Sequence, residues 1–213
     1  MKLVNHWKVG EIVLTRLGQN KINEYNIDKT AYLIGNILPD LNCVYPAHRL
    51  STTCDRFNKH LKYIDNSDNK FMRSLYLGVV THYLCDYFCY AHISESLGLL
   101  HKQYEKNLYN FFLKHRKDVD YSDLYGLWNS VERDISDLMI DDIRVNIDKH
   151  CIYIISQLKY MSEQYKANMI SRDYRLWTSD MYQIQLDMKY IMFMINNMLD
   201  MIMEPCMCME TYV

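Results

Sequence analysis

A histidine and an aspartate stand one helical turn apart within an apolar stretch of the chain, as His82 and Asp86. They share one face of a predicted helix with the neighbouring positions Phe71, Leu75, Val79 and Cys89. Burying an ionised carboxylate without a partner costs several kcal/mol, whereas a bound metal ion compensates its charge. The pair therefore predicts a metal site on the inner face of this helix.

A second pair with the same spacing follows as His101 and Glu105. His92 stands between the two pairs, where the first of the two helices is expected to end. The whole pattern reads His82-x3-Asp86-x5-His92-x8-His101-x3-Glu105. Any one of these residues alone is most often an ordinary core or surface residue, but the set together indicates metal binding.

Three further candidate ligands lie upstream of this pattern. Asp40 follows Pro39 at the end of a short predicted helix, and His48 lies in the predicted loop of residues 40–50. His6 lies at the edge of the apolar stripe of the first predicted helix. Nitrogen and oxygen ligands that need no cysteine suit Zn²⁺ in a catalytic rather than a purely structural site.

The elements that must position these residues are helices. Only six glycines and three prolines occur in 213 residues, so few residues break a helix. Helical periodicity covers most of the chain, and no convincing strand pattern or linker occurs. We therefore predict an all-α fold with one domain over residues 1–213. The predicted helices span residues 3–17, 51–64, 70–90, 98–115, 121–137, 141–165 and 179–203.

Composition narrows the possible classes of protein. Hydrophobic residues make up 49% of the chain, which excludes wholesale disorder, and a net charge of −2 gives no electrostatic argument for nucleic acid. None of the seven cysteines forms a C-x-x-C pair, so we expect free thiols, with Cys85 and Cys89 as small packing residues. The chain shows no signal peptide, and we expect a cytoplasmic protein.

The last predicted helix is rich in methionine. Polar residues such as Asp187 and Lys189 interrupt its apolar run, so we expect no transmembrane span. Flexible methionines could serve a lipid- or partner-facing surface. The stripe of apolar residues favours instead a helix that packs into the core.

The stretch LYLGVVTHYLCDYFCYAH, from Leu75 to His92, resembles the zinc-dependent phospholipase C family. That family is similar to the fungal single-strand nucleases in fold and metal site. Its His-x3-Asp-x5-His motif and downstream His-x3-Glu both occur here at the same internal spacings. The resemblance covers about residues 1–115, with residues 116–213 left to supply the remaining helices, and it implies a metal cleft between helices.

The resemblance also implies how the ligands divide among two or three zinc ions. One ion would be held by Asp40, His48, His82 and Asp86, a second by His92, His101 and Glu105, and a third by His6 with Asp86 as a bridge. His60 is the alternative to His48, which we favour because a loop near Asp40 folds back more easily. Secreted members begin with a tryptophan that binds the third ion, so here either the Met1 amine completes that site or only two ions bind.

The activity implied is that of a zinc-dependent phosphoester hydrolase, most specifically a phospholipase C-like phosphodiesterase that uses a metal-activated water. Asp40 is the candidate to orient or deprotonate that water. The substrate would be a phosphoester such as a phospholipid, with no stable nucleic-acid complex. Two alternatives stay open: a nuclease or nucleotidase on the same metal cluster, and a non-catalytic helical protein stabilised by metal. The sequence leaves the oligomeric state undetermined.

Overall fold

A computed structural model describes residues 3–41, 50–93, 98–115, 148–170 and 181–203. Within these ranges the chain is helical and contains no strand, which confirms the all-α fold class. The predicted helix at 121–137 and most of the loop at 40–50 lie outside the described residues. The helices are α1 (Leu3–Glu24), α2 (Lys29–Leu41), α3 (Leu50–Asp65), α4 (Lys70–Tyr87), α5 (Tyr90–Ile93), α6 (Gly98–His115), α7 (Asp148–Ile170) and α8 (Met181–Met203).

Helix α1 differs from its prediction in length and in its buried face. Its first segment ends at Gly18, whose φ of 69° suits glycine, close to the predicted end at residue 17, and a further helical segment continues to Glu24. Leu3, the first residue of the predicted helix, is 36% exposed. The buried face instead includes His6, Val9 and Val13, since α1 packs against α2, α4 and α6 at once. His6 is thus fully buried and not at the edge of the apolar stripe.

Helices α2 and α4 cross in direct backbone contact. A Cβ atom added to Gly35 would lie 2.0 Å from the carbonyl oxygen of Leu75, and one added to Gly78 would lie 2.1 Å from that of Tyr32. Any side chain at either position would force the helices apart. The two glycines therefore set the distance between the two helices. As a result, the residues one helical turn after each glycine face each other.

The inner face of α4 begins later than the sequence predicts. Phe71 is 46% exposed, which makes its assignment to the inward stripe wrong. It lies in the first turn of the helix, before burial begins at Ser74 and Leu77. From Leu77 to Tyr87 every side chain is buried, so His82 and Asp86 lie in the fully enclosed half of the helix.

The methionine-rich helix α8 lies in the core, as predicted. Its buried apolar side chains include Met188, Met192, Met194 and Met198. Unbranched methionine side chains adapt to irregular gaps between helices of unequal shape. None of the described helices combines the length and the apolar character needed to cross a membrane.

Candidate metal centre

His82 is oriented by a backbone carbonyl on the neighbouring helix. Its Nδ1 lies 2.9 Å from the carbonyl oxygen of Asn36, one residue beyond the Gly35 crossing point. A carbonyl oxygen only accepts hydrogen bonds, so Nδ1 is the donor to Asn36 and the other ring nitrogen, Nε2, faces Asp86. The side-chain amide of Asn36 also donates to the carbonyl oxygen of His6 at 2.7 Å, which ties α1 to the same point.

Three imidazole rings surround the carboxylate of Asp86. Its Oδ1 lies 3.3 Å from Nε2 of His6 and 3.3 Å from Nε2 of His92, and its Oδ2 lies 3.2 Å from Nε2 of His82. The rings of His6 and His82 stack with their centroids 3.7 Å apart. Residues from α1, α4 and α5 thus present the same type of nitrogen to one carboxylate.

Asp40 lies across from Asp86, at the end of α2. Its two oxygens are 3.7 Å from Nε2 of His6 and 3.7 Å from Nε2 of His82. The side chain of Asp86 is 0% exposed, whereas that of Asp40 is 20% exposed. Asp86 therefore lies at the floor of the cluster and Asp40 at its open side.

The charges in the cluster are tightly coupled. Burial alone would raise the pKa of Asp86, but the nearby His92, His6 and His82 hold it well below its usual range. For His6, burial together with the neighbouring His82 brings the pKa well below its usual range. At neutral pH the floor of the site thus combines an ionised carboxylate with a neutral imidazole, the protonation states that metal binding requires.

The cluster brings together donor atoms that could hold a metal ion such as zinc. The ligand atoms of His6, Asp40 and His82 all lie within 4.8 Å of one another. Two ligands about 2.0 to 2.1 Å from a tetrahedral zinc ion lie about 3.3 Å apart, close to the distances found around Asp86. Among the described residues, neither ring nitrogen of the buried His6 has a hydrogen-bond partner. A metal ion at Nε2 would satisfy one of them.

The downstream pair lies on α6, beside this cluster. Glu105 is only 5% exposed, and its backbone carbonyl accepts a hydrogen bond from the side chain of the buried Asn5 at 3.2 Å. Since Asn5 precedes His6, this bond holds α6 against the ligand-bearing part of α1. His101 lies one turn before Glu105 on the same helix, but its side chain is not among those described.

Two other predicted ligands lie outside the described residues, and one alternative lies elsewhere. His48 and Met1 fall in the undescribed parts of the chain. The ring of His60 packs among Tyr63, Tyr76 and Tyr83 and does not belong to the group formed by His6, Asp40 and His82. Burial, with the nearby Lys59 and Arg56, lowers the pKa of His60 to about 4.

Cys85 on α4 and Cys89, two residues after its end, do not belong to the group formed by His6, Asp40 and His82. Cys85 and Cys89 are both fully buried free thiols, as the sequence predicts for packing residues. Burial and the adjacent Asp86 raise the pKa of Cys85 well above its usual value. Among the described residues, the group close enough to share one ion contains only nitrogen and oxygen donors, from His6, Asp40 and His82.

Sequence analysis missed the residues that support the ligands. Asn36 acts through a main-chain carbonyl, which leaves no signature in residue type. Asn5 and Asn36 are both completely buried. Buried amides in predicted helices were the one available sign, because polar side chains are rarely buried without a specific partner.

Comparison with known proteins agrees with this geometry. A search of curated proteins and a search of solved structures returned no match. A family model described as zinc dependent phospholipase C matches residues 5–191, which include every described ligand candidate and the first half of α8. The chain therefore belongs to the zinc-dependent phospholipase C family.

Proposed function

We propose that this protein is a zinc-dependent phosphodiesterase that cleaves phosphodiesters of the phospholipid type. The observation that carries the proposal is the convergence of three Nε2 atoms on Asp86, with Asp40 on the open side. Family membership supports hydrolysis as the reaction class. We propose two or three zinc ions, with His48 and His101, whose side chains are not described, completing the ligand set.

The roles that we propose for these residues follow from the solvent exposure of their side chains. Zinc, when bound, would supply Lewis-acid chemistry by lowering the pKa of a water molecule and neutralising phosphate charge. Asp86 and His82 would bind metal at the floor, where the Asn36 carbonyl holds the imidazole in one orientation. Asp40 is near enough to the same nitrogens and exposed enough to contact water, so it would orient the nucleophile or accept its proton.

The burial of most of the described tyrosine side chains in the core favours a lipid-like diester over nucleic acid as the substrate. Binding a single strand relies on exposed aromatic rings on which bases stack. Among the described residues, Tyr63 and Phe71 are the exposed large aromatic side chains, and neither belongs to the metal cluster. Several other tyrosines are fully buried in the core: Tyr32, Tyr83, Tyr87, Tyr165 and Tyr190. We therefore propose a phosphoester substrate and no stable nucleic-acid complex.

A panel of substrates tests this proposal. We expect the zinc-loaded protein to hydrolyse a chromogenic phosphodiester and to release phosphorylated headgroup from phosphatidylcholine vesicles. The same protein after chelation should fall to the background rate, because the described part of the chain offers no other activated nucleophile at the cluster. Faster cleavage of single-stranded DNA than of both diesters would favour the nuclease alternative. No turnover of any diester at full zinc loading would favour a structural metal site.

A further inference from the structure

A second buried carboxylate, outside the metal centre, lies on the methionine-rich helix α8. Asp187 is 0% exposed and accepts hydrogen bonds from four donors. They are the backbone N–H of Tyr90 at 2.8 Å, the hydroxyl of Tyr165 at 2.5 Å, the hydroxyl of Tyr104 and the amide of Gln183. Two donors lie on each oxygen, which fills the acceptor capacity of a carboxylate.

Two of these donors lie within two residues of predicted metal ligands. Tyr90 opens α5 two residues before His92, and Tyr104 precedes Glu105 on α6. The other two donors, Tyr165 on α7 and Gln183 on α8, have no ligand candidate next to them. One carboxylate therefore connects the segment that carries His92 with the helix that carries Glu105.

Helix α5 needs such an external support. It has only four residues, too few for a helix that is stable by itself. It follows the end of α4 at Tyr87, and its own backbone is held locally by a bond from the N–H of His92 to the carbonyl oxygen of Cys89. The carboxylate of Asp187 binds an N–H at the start of this helix, where no intrahelical acceptor exists.

The carboxylate is costly for a purely structural role. Burial raises the pKa of Asp187 to about 7, even though the bonds from Tyr104, Tyr165, Tyr90 and Gln183 act to lower it. Well-packed apolar side chains often replace buried charged groups without loss of stability. An apolar side chain could not hold the main chain of α5 and the hydroxyl of Tyr104 on one atom, as Oδ2 of Asp187 does.

We propose that Asp187 is a positioning residue for the metal centre, which holds α5 and α6 together so that His92 and Glu105 meet one metal ion. The inference rests on the proposed function, since it assumes that these two residues bind metal. It assigns to α8 a part in the site beyond filling the core. Partners that orient metal ligands typically contribute 10- to 100-fold to metal affinity.

Two tyrosine variants separate positioning from general stability. Tyr104→Phe removes the bond to the ligand-bearing helix α6, whereas Tyr165→Phe removes an equivalent bond to α7. Each deletes one hydroxyl from the same buried carboxylate, so both should lower the melting temperature. We expect only Tyr104→Phe, together with Asp187→Asn, to weaken zinc binding at one step by about 10-fold or more.

Zinc affinity is measured by titration against a chromophoric chelator, at a temperature where circular dichroism shows each variant folded. The remaining steps, which report on His6, Asp40 and His82, should stay within about twofold of wild type. If Asp187→Asn does not fold, the tyrosine pair alone decides. Equal zinc affinities for Tyr104→Phe and Tyr165→Phe, with normal binding by wild type, would overturn the inference alone. A wild-type protein that binds no zinc would overturn the proposed function and the inference with it.

Discussion

Replacing Asp86 by asparagine should reduce phosphodiester hydrolysis by about 10³-fold, because metal-centred charge stabilisation is worth several kcal/mol and about 4 kcal/mol corresponds to that factor. The substitution keeps the size of the side chain but removes the charge at the centre of three imidazole rings. An amide is also a weaker metal ligand than a carboxylate. The rate should be measured with a chromogenic diester at saturating zinc.

Asp28→Asn is the matched control for this variant. Asp28 accepts a hydrogen bond from the backbone N–H of Ala31 at the start of α2, and asparagine caps a helix equally well. The control should therefore keep wild-type activity. If Asp86→Asn is folded and retains more than about a tenth of the wild-type rate, the charge of Asp86 does not support catalysis.

Removing the metal should lower the melting temperature by about 10 °C. A ligand present at about 1,000 times its Kd stabilises the folded state by about 4 kcal/mol, and each kcal/mol shifts the melting temperature of a domain this size by about 2 to 4 °C. The physical reason is the burial of Asp86 beside three histidines without the cation that compensates them. Differential scanning calorimetry with and without a chelator measures the shift.

The variant His82→Gln provides the control for chelation. It lacks a ligand whose orientation is fixed by the Asn36 carbonyl, so its melting temperature should respond much less to the chelator. An unchanged melting temperature of the wild-type protein, once loss of metal has been verified by elemental analysis, would contradict the coupling of metal to folding.

Local sequence patterns predicted the helices that carry the motif. The limits of α4, α6 and α8 fall within about three residues of their predictions, because capping, breakers and helical periodicity act within a few residues along the chain. The pairing of His82 with Asp86 follows from one helical turn in the same way. These features need no knowledge of the partner helices.

Features that depend on several helices at once could not be predicted. The complete burial of His6, which the sequence places only at the edge of an apolar stripe, arises because α1 contacts α2, α4, α6 and α8, so more than one of its faces is buried. The role of Asn36 depends on the glycine crossing that brings its carbonyl to His82. In the sequence, Asp187 is only a polar interruption of an apolar run. Its hydrogen bonds could not be predicted, because its donors Tyr90 and Tyr104 lie 97 and 83 residues away in the chain.

The metal content of the purified protein tests the central claim most directly. We predict two or three zinc equivalents per chain by mass spectrometry after expression with zinc, the loss of at least one in His82→Gln, and none lost in His60→Gln. The two histidines differ in that His82 faces Asp86 and Asp40, whereas His60 packs among tyrosines. Less than one equivalent of any transition metal in the wild-type protein would contradict the account.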